Sequence, residues 1–592
     1  MKQTTIRLPV QPLDTRTAGA QPVRKRAQAA GKRLVVNAEN PVFLLRRGYA
    51  GNLSEAEGIL QTWAALPEDI RAFTVIYSDM HSGHDLSMPE LLQRWDTVLD
   101  ATDAAGIPMA IQVENWNSDT ARDAYTPEQL DGLYRRHKSL VAMVVVELSC
   151  GGVRPEAMKR LKQVLQASAD NGGLLIWQEM EYVYEANFTS RMLEDAELEA
   201  MMRRYADHIV MMDKHNGQCR HFSNQSAMLG LWLAGYCGNW GGNVENWLWW
   251  EEGLHDYDEV GAGPRSQPDL YNMKYPPALM AADMIADLVG GATVMAPEGS
   301  NQFNLYADVD GQVTLCEAFW SAALPVYRQM LAGGIPTKNE VRSKIHAAYR
   351  LSDPTAEHHT RWTESPILAG LYTIDAEQAE HHAPANERPA SKHWTPKTGR
   401  YYILPTLPKY ASQEAVPGAV LLEERDCAAP GTQRELLERL YPSVDAGDGV
   451  LFDVADTRYC FNSEESRIRL PDQTVQFAAK NGQTVTLTLP AHTAAMYTER
   501  QGVGELTLIN LRLDTHALCE GAETLHDFNR AYAGGERMER DFRNTTVTIS
   551  GAAPTVEAAG TNHAGVEADQ TAEMLWLTIS SNGLVRLHLR WN

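Results

Sequence analysis

The sequence predicts a parallel (β/α)8 barrel followed by an antiparallel β-sandwich region, and three observations predict it. Between residues 41 and 299, eight short apolar runs alternate with segments of helical spacing, and such alternation implies right-handed βαβ units in a parallel sheet. Eight units in roughly 300 residues fit a closed barrel better than an open sheet, and the glycine-rich phosphate loops of nucleotide-binding sheets do not follow the first strand. Beyond about residue 340 the runs become short and β-branched, bounded by Gly, Pro, Asn and Asp, which is the pattern of antiparallel strands and turns.

In chain order, the first strand is "PVFLLRRGY" (41–49), followed by the helical spacing of "LSEAEGILQTWAALPEDIRA" (53–72). "FTVIYSDM" (73–80) leads to the helix "MPELLQRWDTVLDATDAAG", and "IPMAIQVEN" (107–115) to "TPEQLDGLYRRHKSL". The fourth strand, "VAMVVV" (141–146), precedes "RPEAMKRLKQVLQASADNG", where Met158, Leu161, Leu165 and Ala169 share one helix face and Asn171-Gly172 stops it. "GLLIWQEM" (173–180), "HIVMMDKH" (208–215) and "GNWGGNVENW" (238–247) are the next three strands, alternating with "SRMLEDAELEAMMRRYAD" and "NQSAMLGLWLAGYC". "YPPALMAADMIADLVGG", with prolines at its start and glycines at its end, precedes the eighth strand "ATVMAPEG" (292–299). Later runs such as "RYYILPTLP", "AVLLEE", "QTVTLTLP" and "AEMLWLTISS" are read as antiparallel strands, and the polar 380–399 as a loop or linker. The expected division is an N-terminal extension at 1–35, a barrel at 36–345, and a β-rich region at 346–592 of one or two subdomains.

Composition narrows the function. The 592 residues are 44% hydrophobic and 22% charged, which is globular, and the formal net charge of −23 makes nucleic acid an unsuitable partner. Seven scattered cysteines with no CxxC pair argue against a disulfide framework or a zinc ribbon. No run reaches the length of a membrane span, and the start has basic residues without a signal-peptide apolar core. As written, the chain is therefore expected to be cytoplasmic, with no membrane partner; its oligomeric state is open.

In (β/α)8 enzymes the site lies at the C-terminal ends of the strands. Six apolar residues from Val141 to Val146 end in Glu147, and other strand ends supply Asp79, Glu114, Glu179, Glu181, Asp213, Glu245 and Glu298. Aromatics are interleaved: Trp116, Trp177, Trp240, Trp247, Trp249 and Trp250 fall beside these positions. Flat rings stack on sugar faces and carboxylates accept hydrogen bonds from hydroxyls, so acids with tryptophans at a barrel mouth point to a glycosidase, which needs one carboxyl as acid and one as base or nucleophile. The substrate-contact candidates are Asp79, His81, Glu114, Trp116 and Trp177, with Glu179, Lys214, Trp240 and Trp247. "SDMHSGHD" (78–85) has the look of metal ligands, but on a loop this spacing is weakly specific and is read as substrate contact or solvation; no metal and no cofactor is expected. Gly-x-Ser-x-Gly and HExxH are absent, so serine-triad and zincin mechanisms have no support.

An ordered series of segments resembles glycoside hydrolase family 98: "NPVFLL", "LPEDIRAFTV", "VVVELSCGG", "SNQSAMLGLWLAGYCGNWGGNVENW", "GGATVMAPEG", "GGIPTKNEV", "TGRYYILPTLP" and "LTLINLRLDT". The resemblance spans about residues 40–515 and implies an endo-acting enzyme with a (β/α)8 catalytic domain and a C-terminal β domain. Residue by residue, it implies Glu147 as general acid, Glu245 where the family's base is usually aspartate, and Glu298 as the glutamate assisting that base. The extra methylene of Glu245 shifts a carboxylate by roughly 1 Å, a displacement that matters to catalysis. The implied mechanism is inverting: Glu147, kept neutral by apolar surroundings, protonates the leaving oxygen while Glu245 activates a water. Members cleave β-1,4 bonds, either the galactosyl linkage of blood-group glycans or the backbone of decorated xylan; the galactosidase reading is preferred and xylanase is the alternative. They are usually exported, a departure from this chain's start. A rival of another class is a barrel that has lost its chemistry and only holds glycan.

Overall fold

The computed structural model describes residues 5–47, 53–79, 86–115, 125–148, 153–179, 191–215, 221–244, 276–297, 305–350, 372–373, 395–396, 403–423, 439–440, 450–454, 456–462, 472–512 and 542–591. Two short strands come first, β1 (Ile6–Leu8) and β2 (Val10–Pro12). The eight barrel strands follow: β3 (Val42–Arg47), β4 (Thr74–Ser78), β5 (Met109–Asn115), β6 (Leu140–Val146), β7 (Leu174–Glu179), β8 (Ile209–His215), β9 (Asn239–Val244) and β10 (Val294–Met295). All pair in parallel, and β10 closes the ring by pairing with both β9 and β3.

The strands read as continuous apolar runs because both faces are covered. On one face Val42, Leu44, Val75, Ala142, Val144, Val146, Ile176, Val210 and Met212 fill the barrel interior. On the other, Phe43, Leu45, Ile76, Met143, Val145, Leu175 and Met211 pack under the helices. Sequence signals set the helix limits. Pro155–Asp170 has Pro at its first turn, and Thr126 caps Pro127–Arg136 through a capping box. Helix Pro277–Val289 is buried along its whole length, because strands of the C-terminal sandwich cover the side that faces away from the barrel.

That sandwich has a six-stranded and a seven-stranded sheet, enclosing Val475, Leu487, Leu508, Val547, Leu577 and Leu587. Two findings differ from the sequence reading. The N-terminal segment is no free extension, since β1 pairs with Gly565–Gln570 in one sheet and β2 with Thr555–Gly560 in the other. The runs read as antiparallel strands near 406 and 420 instead pair in parallel with Ala347–Arg350. Among the described residues no helix is long and apolar enough to cross a membrane.

Candidate active site

Strand alternation decides which polar groups reach the barrel mouth. Counting by two from the interior residues, Arg46, Asp79, Gln112, Gln178 and Lys214 lie on the inner face near the C-terminal strand ends. Arg46 and Asp79 form an ion pair there, Nε to Oδ2 at 2.9 Å, with the Asp79 side chain 4% exposed. Below it the Tyr77 hydroxyl donates to Gln112 Oε1 at 2.9 Å. The sequence reading missed Arg46, Gln112 and Gln178, although the two-residue period from Leu44, Ala110 and Ile176 marks them.

By the same count Glu147 belongs with Met143 and Val145 on the helix side. It does not go there. Its backbone is left-handed, φ 57°, a conformation that costs a residue with a Cβ about 1–2 kcal/mol. The turn brings its carboxylate to the inner-facing Lys214, whose ammonium donates to Glu147 Oε1. Lys214 is fully buried while Glu147 keeps 19% exposure, so the carboxyl is the half of the pair that a ligand at the mouth can meet. The surroundings expected to be apolar therefore include a buried cation. Asn224 fixes the strand behind the lysine, its Nδ2 donating to the Lys214 carbonyl at 2.7 Å.

Two hydrogen bonds hold the turn. The Glu147 N–H donates to the Gln178 carbonyl at 2.9 Å, which continues the ladder between β6 and β7, and the Leu148 N–H donates to Glu179 Oε2 at 3.1 Å. The Trp177 indole N–H donates to the same oxygen at 2.9 Å. Glu179 and Trp177 are fully buried on the helix side, so neither touches sugar, contrary to the sequence reading. Trp240 is also fully buried, its indole donating to the Gly290 carbonyl at 3.2 Å; it is core and no platform. Glu114 faces the helix layer, paired with Arg160 of Pro155–Asp170 at 2.9 Å, because a register shift between Gln112 and Glu114 turns it off the inner face. Asp213 is fully buried beside Glu179 in the β7–β8 register.

The glycines of "NWGGNV" are needed for close packing. A Cβ on Gly241 would lie 2.3 Å from the Val294 carbonyl oxygen, and one on Gly242 only 1.7 Å from Asp287 Oδ2. They let β9 seat against β10 and the helix Pro277–Val289. His81, Trp116, Glu181, Glu245, Trp247, Trp249, Trp250 and Glu298 lie outside the described residues.

Comparison with known proteins places this geometry in a family. Residues 30–336 match glycosyl hydrolase family 98 and residues 338–592 match the glycosyl hydrolase family 98 C-terminal domain. A blood-group-substance endo-1,4-beta-galactosidase of Clostridium perfringens is 21% identical over 533 residues, covering 83% of this chain and 62% of that protein; the chain thus spans less than two thirds of that relative's length. The fold is shared with the catalytic module of a family 98 glycoside hydrolase from Streptococcus pneumoniae, solved in complex with the H-disaccharide blood group antigen, at TM-score 0.79, 21% identity, 94% of this chain and 100% of that one. The same module in complex with the LewisY pentasaccharide blood group antigen gives TM-score 0.78 at the same identity and coverage. With both halves of the family's architecture matched in order along nearly the whole sequence, this chain belongs to glycosyl hydrolase family 98.

Proposed function

We propose that the protein is an inverting, endo-acting glycoside hydrolase that cleaves an internal β-1,4 galactosyl bond in blood-group-type glycans. The observation that carries the reading is Glu147 itself: a strained residue at the C-terminal end of a barrel strand, turned inward, partly exposed and joined to a buried lysine. Strain of this kind persists where the surrounding structure fixes it, and it clusters at functional sites. Family membership supports reading this residue as the acid, and the relatives' names support blood-group glycans as the substrate class.

Glu147 protonates the glycosidic oxygen as the bond breaks. Lys214 then stabilises the carboxylate left behind through a charge-assisted hydrogen bond. Glu245, assisted by Glu298, takes a proton from the water that attacks the opposite face of the sugar. An inverting pair leaves room for that water, so the Glu147 and Glu245 carboxyls should lie about 6.5–9.5 Å apart. Arg46, held by Asp79, is placed to donate to substrate hydroxyls, and His81, Trp116 and Trp247 are proposed as further glycan contacts.

Proton NMR of the first-formed product tests the mechanism. A β-linked blood-group A or B glycan should release the α-anomer first. An initial β-anomer means a retaining enzyme and a wrong base. Turnover of glucuronoarabinoxylan in place of the blood-group glycan moves the specificity to xylan, and glycan binding without turnover of either leaves only a binding protein.

A further inference from the structure

We propose that Glu179 is a positioning residue for Glu147: its carboxylate, anchored by the Trp177 indole, holds the backbone turn that brings the Glu147 carboxyl to the inner face of the barrel mouth. The proposal rests on the reading of Glu147 as the acid.

Glu179 lies on the helix side of the wall, where alternation puts Leu175 and Trp177. A carboxylate buried there is costly unless hydrogen bonds satisfy it. Its Oε2 accepts from the Leu148 N–H at 3.1 Å and the Trp177 Nε1–H at 2.9 Å. The Leu148 amide is the first peptide after the left-handed residue. Were Glu147 extended, that peptide would rotate, its N–H would leave Glu179, and the Glu147 side chain would swing to the helix side with Met143 and Val145. The Glu147 N–H, meanwhile, donates to the Gln178 carbonyl. Two successive amides of the turn are therefore tied to two successive residues of the neighbouring strand, one through a carbonyl and one through a carboxylate. The carbonyl bond any parallel ladder would make; the side-chain bond exists only because position 179 carries an acceptor oxygen at that reach. Trp177 fixes that acid's rotamer from two residues away on the same strand.

A residue that acts through the acid matters most when the leaving group needs protonation. The full-length protein would be assayed on two substrates with the same glycone, an unactivated blood-group A glycan and its 2,4-dinitrophenyl β-glycoside. Glu179→Leu, which removes the acceptor oxygen at similar volume, is expected to lower kcat on the glycan by about 10–10²-fold, the scale of a misplaced catalytic group, with KM little changed and the aryl glycoside nearly unaffected. In a Glu147→Gln background the same change should cost nothing further. Equal slowing of both substrates, or the same loss again in that background, overturns the proposal. Trp177→Phe, which removes only the indole donor and some ring volume, should show the same leaving-group dependence to a smaller degree and serves if Glu179→Leu folds poorly. A crystal structure of Glu179→Ala reads the turn without any substrate: Glu147 is expected to leave the left-handed region, and retention of its φ near 57° contradicts the claim. Failure of the acid reading looks different, since Glu147→Gln alone would then show no dependence on the leaving group.

Discussion

At the scale of single residues, the backbone of Glu147 is open to a stability measurement independent of activity. Glycine adopts φ 57° without the Cβ penalty, so Glu147→Gly should be more stable than Glu147→Ala by about 1 kcal/mol in denaturant unfolding. The reverse order would mean that the residue is not left-handed in solution. Lys214 gives a second residue-scale prediction. Lys214→Met keeps most of the side-chain length but removes the ammonium that meets Glu147, and turnover should fall about 10²-fold, as when one preorganised donor is lost. The position of Glu147 was legible in the sequence, because a carboxylate after six apolar residues stands out. Its orientation was not, because only the hydrogen bonds made by its neighbours force the left-handed turn, and periodicity carries no sign of them.

At the scale of elements, the strands and helices of the barrel were legible in order and approximate place, since buried parallel strands and amphipathic helices differ in period and in their caps, while their ends moved by up to six residues, as in the helix Ala196–Arg204. The faces of the strand ends were harder to read. An acid near the end of a strand counts as rim until its parity is followed, and parity sends Glu179 and Trp177 to the helix side and Lys214 to the mouth. Glu114 needed the irregular β5–β6 register as well, and a bulge of that kind leaves no mark in composition. The glycines of β9 carry the prediction that belongs at this scale. Gly242→Ala puts a methyl within 1.7 Å of the Asp287 carboxylate and should cost about 1–3 kcal/mol of stability through overpacking. Because the shift propagates along the strand that leads to Glu245, activity should fall as well; a variant as stable as the parent would show that β9 and the helix Pro277–Val289 are less closely seated.

At the scale of the whole molecule, the N-terminal forty residues join what the sequence pattern separates. β1 and β2 add an edge to each sheet of the sandwich. Arg33 then serves the barrel, donating to the carbonyls of Tyr134, His137, Leu140 and Asn171 at 2.6 to 3.1 Å, and in return Arg328 holds the N-terminal Thr15, Arg16 and Ala18 carbonyls together with Asp69. Nothing local announces such a staple, since three-residue strands take their identity from partners more than five hundred positions away. Arg33→Ala should destabilise the barrel by roughly 2–4 kcal/mol, because charged hydrogen bonds to four carbonyls are lost together; an unchanged unfolding midpoint would remove that role. The central claim is that this fold presents Glu147 as the acid of a glycosidase. It is tested most directly by the rate of reducing-end release from a blood-group A or B glycan by the parent protein and by Glu147→Gln. The parent should release reducing ends, and Glu147→Gln should lose about 10²–10⁴-fold of that rate with its melting temperature preserved; turnover of the glycan by Glu147→Gln at the parent's rate would rule Glu147 out as the acid.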